Sequence, residues 1–505
     1  MSIKLCYSKT NGEIMDYKEA LNRFRIKIEK VVAINYANSI MEWDAATGAP
    51  KKGAPMRGES LGFLTVLQHE ILINKEAEED LEILLQNIDK LTDIEAKMVK
   101  NSKKEFVKMS RIPKNELRDY HMLTNRAQHS WEEAREKDDF SIFSKDLKEI
   151  INYKRKFAKY IDAKEHPYNI FLDDYEEGMT VEKLNAFFSK LKERIVPLLK
   201  KIEESKTVIN DDFLKKSYPI YLQKEAATEL LEIMGFDLTR GMLKESTHPF
   251  TMGTNIDDVR LTSRYDENNM LSGTLSVAHE GGHALYEQNI SRDLFNTSLA
   301  TGTSLGIHES QSRIYENNIF KSKEFINFYL PFLVKRYPEQ LKDITTENFY
   351  NAINRVEPSF IRVDADELTY SLHIMVRYEI ELALIEERLE VEDLPEYWNN
   401  KMFEYLGITP PNNSMGVLQD VHWSHGLFGY FPTYALGSAY AAQFSHYMNE
   451  EKEPKKVLEW LNKNIHTYGS LLTPDEISLK SCGELLNPEY FCSYLEKKFT
   501  NLYNL

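Results

Sequence analysis

The stretch Leu275-Ser276-Val277-Ala278-His279-Glu280-Gly281-Gly282-His283-Ala284-Leu285-Tyr286 decides how the rest of this chain is read. Its flanks are helix-compatible, and His279 and His283 stand four residues apart. On a helix that spacing puts both imidazoles on one face, a turn apart. Two ring nitrogens then reach one Zn2+ at roughly 2.0–2.1 Å. Glu280, turned by about 100° from His279 around the axis, contacts a metal-bound water without ligating the metal. A metal brings the pKa of such a water to about 7; the carboxylate takes the proton and later passes it to a leaving amine. A chain with 13 histidines and 79 Asp and Glu residues in 505 holds this pattern by chance at most about 0.05 times. Gly281 and Gly282 weaken the helix by roughly 1 kcal/mol each relative to alanine. Their presence points to something that approaches the backbone closely, either the packing of a metal site or a substrate.

A catalytic zinc needs a third protein ligand and an open position. Glu309, in His308-Glu309-Ser310-Gln311, follows His283 by 26 residues and opens a further helical run, Ser312-Arg313-Ile314-Tyr315. A second helix crossing the first would aim its carboxylate at the metal. His308 is the competing ligand.

Outward from this motif, helical spacing dominates. Apolar residues recur at three and four from about Tyr17 to Ile40, and a second long helix reads from Leu91 to Ile112, stopped by Pro113. Further runs cover the stretch to about Lys137, then Phe140–Asp162, Thr180–Lys206, Gln223–Gly235, Asp366–Leu389 and Gly437–Met448. Thr180 is placed to cap the helix it precedes. Strand signals are sparse: between His248 and Asp266, Val259, Leu261 and Ser263 alternate with Arg260, Thr262 and Arg264, which reads as a small hairpin. Pro410-Pro411-Asn412-Asn413-Ser414 reads as a turn, not a linker. Glu76–Asp80 and Glu450–Glu453 read as solvated helix faces, and the sixteen methionines as core filler. The expected fold is mainly α: a single large helical body with a cleft, a helix carrying HExxH, and a small β-hairpin or sheet near the metal.

The net charge of −16 argues against a nucleic-acid partner. Three widely spaced cysteines, Cys6, Cys482 and Cys492, form no disulfide framework and fit a reducing compartment. Neither the stretch Met1–Cys6 nor the polar sequence after it reads as an apolar leader, and no run of 18 apolar residues suggests a membrane span. A cytoplasmic location is expected.

Six ordered signatures run along the chain after Trp43-Asp44-Ala45-Ala46-Thr47. They are His248-Pro249-Phe250, Asp258-Val259-Arg260-Leu261-Thr262, the HExxH motif, His308-Glu309-Ser310-Gln311, Ile361-Arg362-Val363-Asp364 and Gly416-Val417-Leu418-Gln419-Asp420-Val421-His422-Trp423. With them the chain resembles the thermostable, or Taq-type, metallocarboxypeptidases of family M32 over nearly its whole length; no family signature precedes Trp43. The resemblance implies one peptidase domain over residues 1–505, its N-terminal helical part to about 180 covering a deep groove, its catalytic core from about 181. It implies His279, His283 and Glu309 as ligands of one Zn2+ per chain, Co2+ as a substitute, and Glu280 as the catalytic base. It also implies stepwise release of single C-terminal residues with broad tolerance and poor action on proline, peptides with a free C-terminus as partners, and a homodimer.

Such an enzyme must hold a free carboxylate beside the scissile bond, a task suited to the planar fork of arginine. Arg362 matches the family position for this; Arg260 is the alternative, and could instead brace Asp258. The oxyanion calls for a donor, for which His248, His422, Tyr430 and Tyr434 are candidates, Tyr434 and His248 preferred. The rival readings are an endo-acting oligopeptidase or dipeptidyl carboxypeptidase on a similar scaffold, or a zinc-binding scaffold protein without catalysis.

Overall fold

The computed structural model describes residues Tyr17–Leu505; the readings made of Cys6 and the Met1–Cys6 stretch lie outside these residues. Helices form where three- and four-residue apolar spacing puts a continuous stripe on one face. They include Tyr17–Thr47, Asp93–Arg111, Lys114–Lys137, Phe140–Ile161, Val181–Glu203, Ile220–Met234 and Glu367–Ile385. Thr180 caps its helix by accepting the Lys183 amide. The helix expected from Gly437 starts earlier, at Pro432, because proline suits a first helical turn, where its missing N–H costs nothing. Ala54–Leu72, which apolar spacing does not reveal, precedes Asp93–Arg111, as does Lys75–Gln86, where Ala77, Leu81 and Leu84 are buried at steps of four and three.

The described residues form two compact units, one of residues up to 45, 49–110 and 296–298, the other of 46–48, 111–295 and 299–505. Within the first, the acidic run from Glu76 is not wholly a solvated face. Ala77 and Asp80 are buried, and Asp80 accepts from Lys27 Nζ at 2.8 Å and Arg23 Nε at 3.1 Å. A carboxylate inside a protein needs such partners to offset its lost hydration. Glu450–Glu453, likewise, lies in the connection between Pro432–Tyr447 and Pro454–Asn464, not on a helix face.

The second unit holds the sheet. The hairpin of strands β2 (Thr251–Asn255) and β3 (Asp258–Ser263) is present. Strand β1 (Gly241–Glu245) pairs parallel to β3 on its other edge, giving three strands in the order β1-β3-β2. Val259 and Leu261 are buried and Arg260 is half-buried, as the alternation requires, but Thr262 is buried as well. Its hydroxyl oxygen accepts from Ser246 Oγ at 2.7 Å and the Phe250 amide at 3.0 Å, so its polarity is matched. No described helix is long and apolar enough to cross a membrane.

The HExxH helix, Met270–Gln288, packs against β2 and β3, against Ile220–Met234 and against Leu305–Arg313. Its two glycines set these approaches. A Cβ at Gly281 would lie 2.7 Å from Met234 Cε; one at Gly282 would lie 2.6 Å from Ser312 Cα and meet the Gln311 carbonyl. The space therefore belongs to helix packing at the metal site, not to substrate. Because the obstacle at Gly282 is backbone, it cannot yield as a flexible side chain would. Gly282→Ala is expected to destabilise the protein by about 1–3 kcal/mol, read as a lower thermal midpoint. Gly62→Ala, on the Ala54–Leu72 helix where a Cβ meets nothing within 4 Å, should cause no such loss.

Candidate metal centre and cleft

The HExxH helix starts at Asn269, whose side chain accepts the Leu271 amide, and it presents His279 and His283 one turn apart. The crossing helix Leu305–Arg313 is capped by Ser304, which accepts the Ile307 amide. Glu309 sits in its middle, not at its opening. Glu309 packs on the Pro432–Tyr447 helix at Gly437, where a Cβ would stand 2.5 Å from Glu309 Cβ. The crossing brings Glu309 Oε2 to 3.7 Å from His279 Nε2 and 3.5 Å from His283 Nε2. All three donor atoms lie within 4.8 Å of one another. Donors of a tetrahedral zinc site stand about 3.3 Å apart, given bonds of roughly 2.0 Å, so two nitrogens and a carboxylate oxygen fit such an ion.

Each ligand is braced from behind. His279 Nδ1 lies 2.9 Å from Glu316 Oε2. Glu316 comes from Ile314–Phe320, where the helix widens into a π-helical stretch, a form often found at functional sites. His283 Nδ1 lies 2.6 Å from His308 Nδ1, and His308 Nε2 lies 2.8 Å from Glu287 Oε1. With Nε2–H donated to Glu287, His308 offers its Nδ1 lone pair to the Nδ1–H of His283, leaving His283 Nε2 for a metal. His308, the competing ligand in the sequence, is thus turned toward His283 and Glu287, and the three-donor group is His279, His283 and Glu309.

Burial, reinforced by His308 and His279, lowers the pKa of His283 to about 3, so the ring is neutral and a donor. At His279 burial is outweighed by the carboxylates of Glu309 and Glu316, which raise it. Burial would also raise Glu309, but Arg313, His279 and His283 hold it well below the ordinary carboxylate range. Arg313 Nε donates to Glu309 Oε1 at 2.7 Å.

A cleft of about 1070 Å3 opens over these groups. Glu280 lines it, its Oε2 accepting from Thr251 Oγ1 at 2.7 Å. Burial raises the Glu280 pKa, opposed by His279 and the Thr251 hydroxyl. Arg362 also lines the cleft, from the short turn Arg362–Asp364. Its Nη2 and Nε donate to Asp420 Oδ1 at 2.8 and 3.1 Å, and its Nη1 to Tyr370 Oη at 3.1 Å. The fully buried Arg377 donates to the other oxygen, Oδ2, at 2.7 Å. His373 behind them is kept neutral, first by burial and then by the two arginines. Two guanidinium groups and one carboxylate leave one positive charge in surplus.

Tyr430 and Tyr434 line the cleft too, and the Tyr434 ring lies 4.9 Å from the Arg362 guanidinium. His422, His248 and Arg260 are not on its lining. His422 sits behind Tyr434, with Nε2 at 3.4 Å from the hydroxyl, and burial lowers its pKa to about 4. His248 accepts at its carbonyl from Ser246, while its neighbours Pro249 and Phe250 reach the cleft. Arg260 forms a two-pronged pair with Asp258 at 2.7 Å per contact and so braces Asp258 rather than facing the cleft. Thr251, Glu287, Arg313, Glu316, Tyr370, Arg377 and Asp420 join the site without a role that the sequence alone suggests. Arg313 and Glu316 carry a usable signal, since a four-residue step from Glu309 to Arg313 and a three-residue step on to Glu316 put them on its face of the helix. Asp420 stands inside the Gly416–Trp423 signature, but nothing local ties it to Arg362.

Residues 23–499 match the family model of the carboxypeptidase Taq (M32) metallopeptidases. The chain is 42% identical over 488 residues to carboxypeptidase 1 of Bacillus subtilis, covering 95% of this chain and 97% of that one. The solved structure of Pyrococcus furiosus carboxypeptidase superposes with a TM-score of 0.91 at 37% identity, over 95% of this chain and 99% of that chain. Metallocarboxypeptidase 1 of Trypanosoma cruzi gives a TM-score of 0.91 at 33% identity, over 96% and 99% of the two chains. A match of this extent, on a chain whose HExxH helix and crossing helix already assemble a metal-binding group, makes this protein a member of the carboxypeptidase Taq (M32) family and a metallocarboxypeptidase.

Proposed function

We propose that this metallocarboxypeptidase binds one Zn2+ through His279, His283 and Glu309, with Co2+ as a substitute, and releases C-terminal residues singly. The observation that carries the reading is one cleft lined by both the three-donor group with Glu280 and the buried arginine Arg362, whose cluster holds an unmatched positive charge. A peptide's terminal carboxylate is the anion that charge suits, because a buried cation without enough partners is costly. Bound at the three donors, Zn2+ supplies Lewis-acid polarisation of the scissile carbonyl and acidifies a water to a pKa of about 7.

The chain's own residues do the rest. Arg362 grips the carboxylate with its planar fork, held in place by Asp420 and Tyr370. Glu280, one oxygen held by Thr251, accepts the proton of the attacking water and returns it to the departing amine. Tyr430 and Tyr434, kept protonated as burial raises their pKa, donate to the developing oxyanion. His422 backs Tyr434 from behind, while His248 and Arg260, off the cleft lining, take no part in this arrangement. The donor set of two imidazoles and a carboxylate is typical of catalytic zinc.

The family match over residues 23–499 supports reading the chain as one peptidase domain, with residues from about 181 onward as catalytic core. Broad tolerance, poor action on proline and a homodimer are carried over from the resemblance. A cytoplasmic setting is supported by Cys482 and Cys492, which are unpaired.

Glu280→Gln should retain one zinc per chain by elemental analysis while kcat drops by about 10^2–10^4; turnover near the wild-type level would refute the assigned base. Time-resolved mass spectrometry of a peptide digest should show a ladder losing one C-terminal residue per step. A ladder descending by two residues, or internal cuts, would instead favour a dipeptidyl or endo-acting enzyme. Arg362→Gln should reduce kcat/KM on free-acid peptides by about 10–100-fold, the worth of a charge-assisted contact of roughly 1.5–3 kcal/mol. C-terminally amidated peptides should already be slow with the wild type and change little. Equal losses on both substrates would remove Arg362 from the role of anchor.

A further inference from the structure

Arg313 belongs neither to the three-donor group nor to the anchor, yet it touches the supports of both. It is 12% exposed in its side chain and lies four residues after Glu309 on the same helix face. Its Nε donates to Glu309 Oε1 at 2.7 Å, while Glu309 Oε2 faces the two histidines at 3.5 and 3.7 Å. Its Nη1 donates at 3.2 Å to Glu316 Oε2, the oxygen that also lies 2.9 Å from His279 Nδ1. The guanidinium stacks 4.4 Å from the centroid of Tyr370, whose hydroxyl accepts from Arg362. One rigid fork therefore holds a carboxylate of the ligand set and the carboxylate that orients a second ligand.

Charge alone does not explain its presence. Glu309 and Glu316 are faced by two cations, Arg313 itself and Lys321, the latter 3.4 Å from Glu316 Oε1. The Arg313 charge offsets part of the acidic charge an arriving divalent cation would meet, so Arg313 weakens the electrostatic attraction for a metal. What it contributes is geometry. A carboxylate can offer a metal one oxygen or two, and a donor fixed on one oxygen leaves the other to coordinate.

We propose that Arg313 is a positioning residue that restricts Glu309 to a single coordinating oxygen, Oε2, and fixes His279 through Glu316. The metal then keeps positions open for water and the substrate carbonyl. This rests on reading His279, His283 and Glu309 as the ligands. It leads to opposite expectations from those of a charge effect. Lysine keeps the positive charge and loses the fork, because an ammonium is a point donor and not a planar pair.

The test uses the full-length protein, stripped of metal and reloaded with Co2+, read by chelator competition and by its visible spectrum. Arg313→Lys should bind Co2+ about 10–100-fold more weakly, the usual cost of losing an outer-shell partner, and its visible bands should weaken as Glu309 takes up two-oxygen coordination. Arg313→Gln, which is uncharged and keeps an extended side chain, guards against one variant failing to fold, as judged by circular dichroism, and should show the same spectral change. An Arg313→Lys protein with wild-type affinity and spectrum overturns the proposal. So does an Arg313→Gln protein that binds Co2+ more tightly with an unchanged spectrum, which would make charge the whole role. Glu309→Ala separates the two readings: if it leaves Co2+ affinity unchanged the ligand assignment itself is wrong, whereas a large loss there beside an unaltered Arg313→Lys removes only the role of Arg313.

Discussion

The site depends on a close backbone crossing. The HExxH helix can meet Leu305–Arg313 only because Gly282 has no side chain where Gln311 and Ser312 lie. The same crossing helix meets Pro432–Tyr447 only because Gly437 leaves space for Glu309. The crossing helix is thereby held between two helices through glycine contacts, and the Glu309 side chain emerges a few ångströms from both histidines. Ordinary helix packing keeps axes 8–10 Å apart according to the side chains between them. Removing those side chains at two points is what lets a short carboxylate complete a donor set on a neighbouring helix. The conformational cost of two adjacent glycines in the HExxH helix, roughly 1 kcal/mol each, is offset by the site they make possible.

Around this crossing the interior is unusually charged for a helical protein. Glu309, Glu316, Arg313, Lys321, Arg362, Arg377 and Asp420 are all largely buried. Ions in such positions lose several kcal/mol of hydration each and persist only when the geometry returns it. Here it is returned through shared partners. Arg313 serves two carboxylates, and Asp420 serves two arginines. Tyr370 joins the networks, its ring against Arg313 and its hydroxyl against Arg362. The ligand side and the arginine side of the cleft are therefore parts of one hydrogen-bonded interior.

Much of the helical architecture could be read from apolar spacing, since an amphipathic helix writes its buried face into the sequence. The Val181–Glu203 helix, with Thr180 as its cap, is a clear case. Ala54–Leu72 is hidden for the same reason in reverse, because none of its residues is buried and no stripe marks it. Strand β1 is hidden because its pairing with β3 is parallel and crosses from Gly241 to Val259, with no local turn to announce it. Asp80 reads as solvated among its acidic neighbours because its partners, Arg23 and Lys27, lie more than fifty residues away.

What the sequence by itself determined was everything helix geometry alone controls. Two histidines four apart share a face, and the glutamate between them does not. That follows from 3.6 residues per turn and needs no knowledge of the rest of the chain. Only the tertiary structure decided which distant groups surround them. It turned His308 toward Glu287 and left Glu309 to the histidines; it put Arg362 into the cleft with Asp420, 58 residues on, and closed Arg260 onto Asp258 outside the lining. Those choices depend on where whole helices cross, and the crossings come from packing between surfaces that no local spacing encodes.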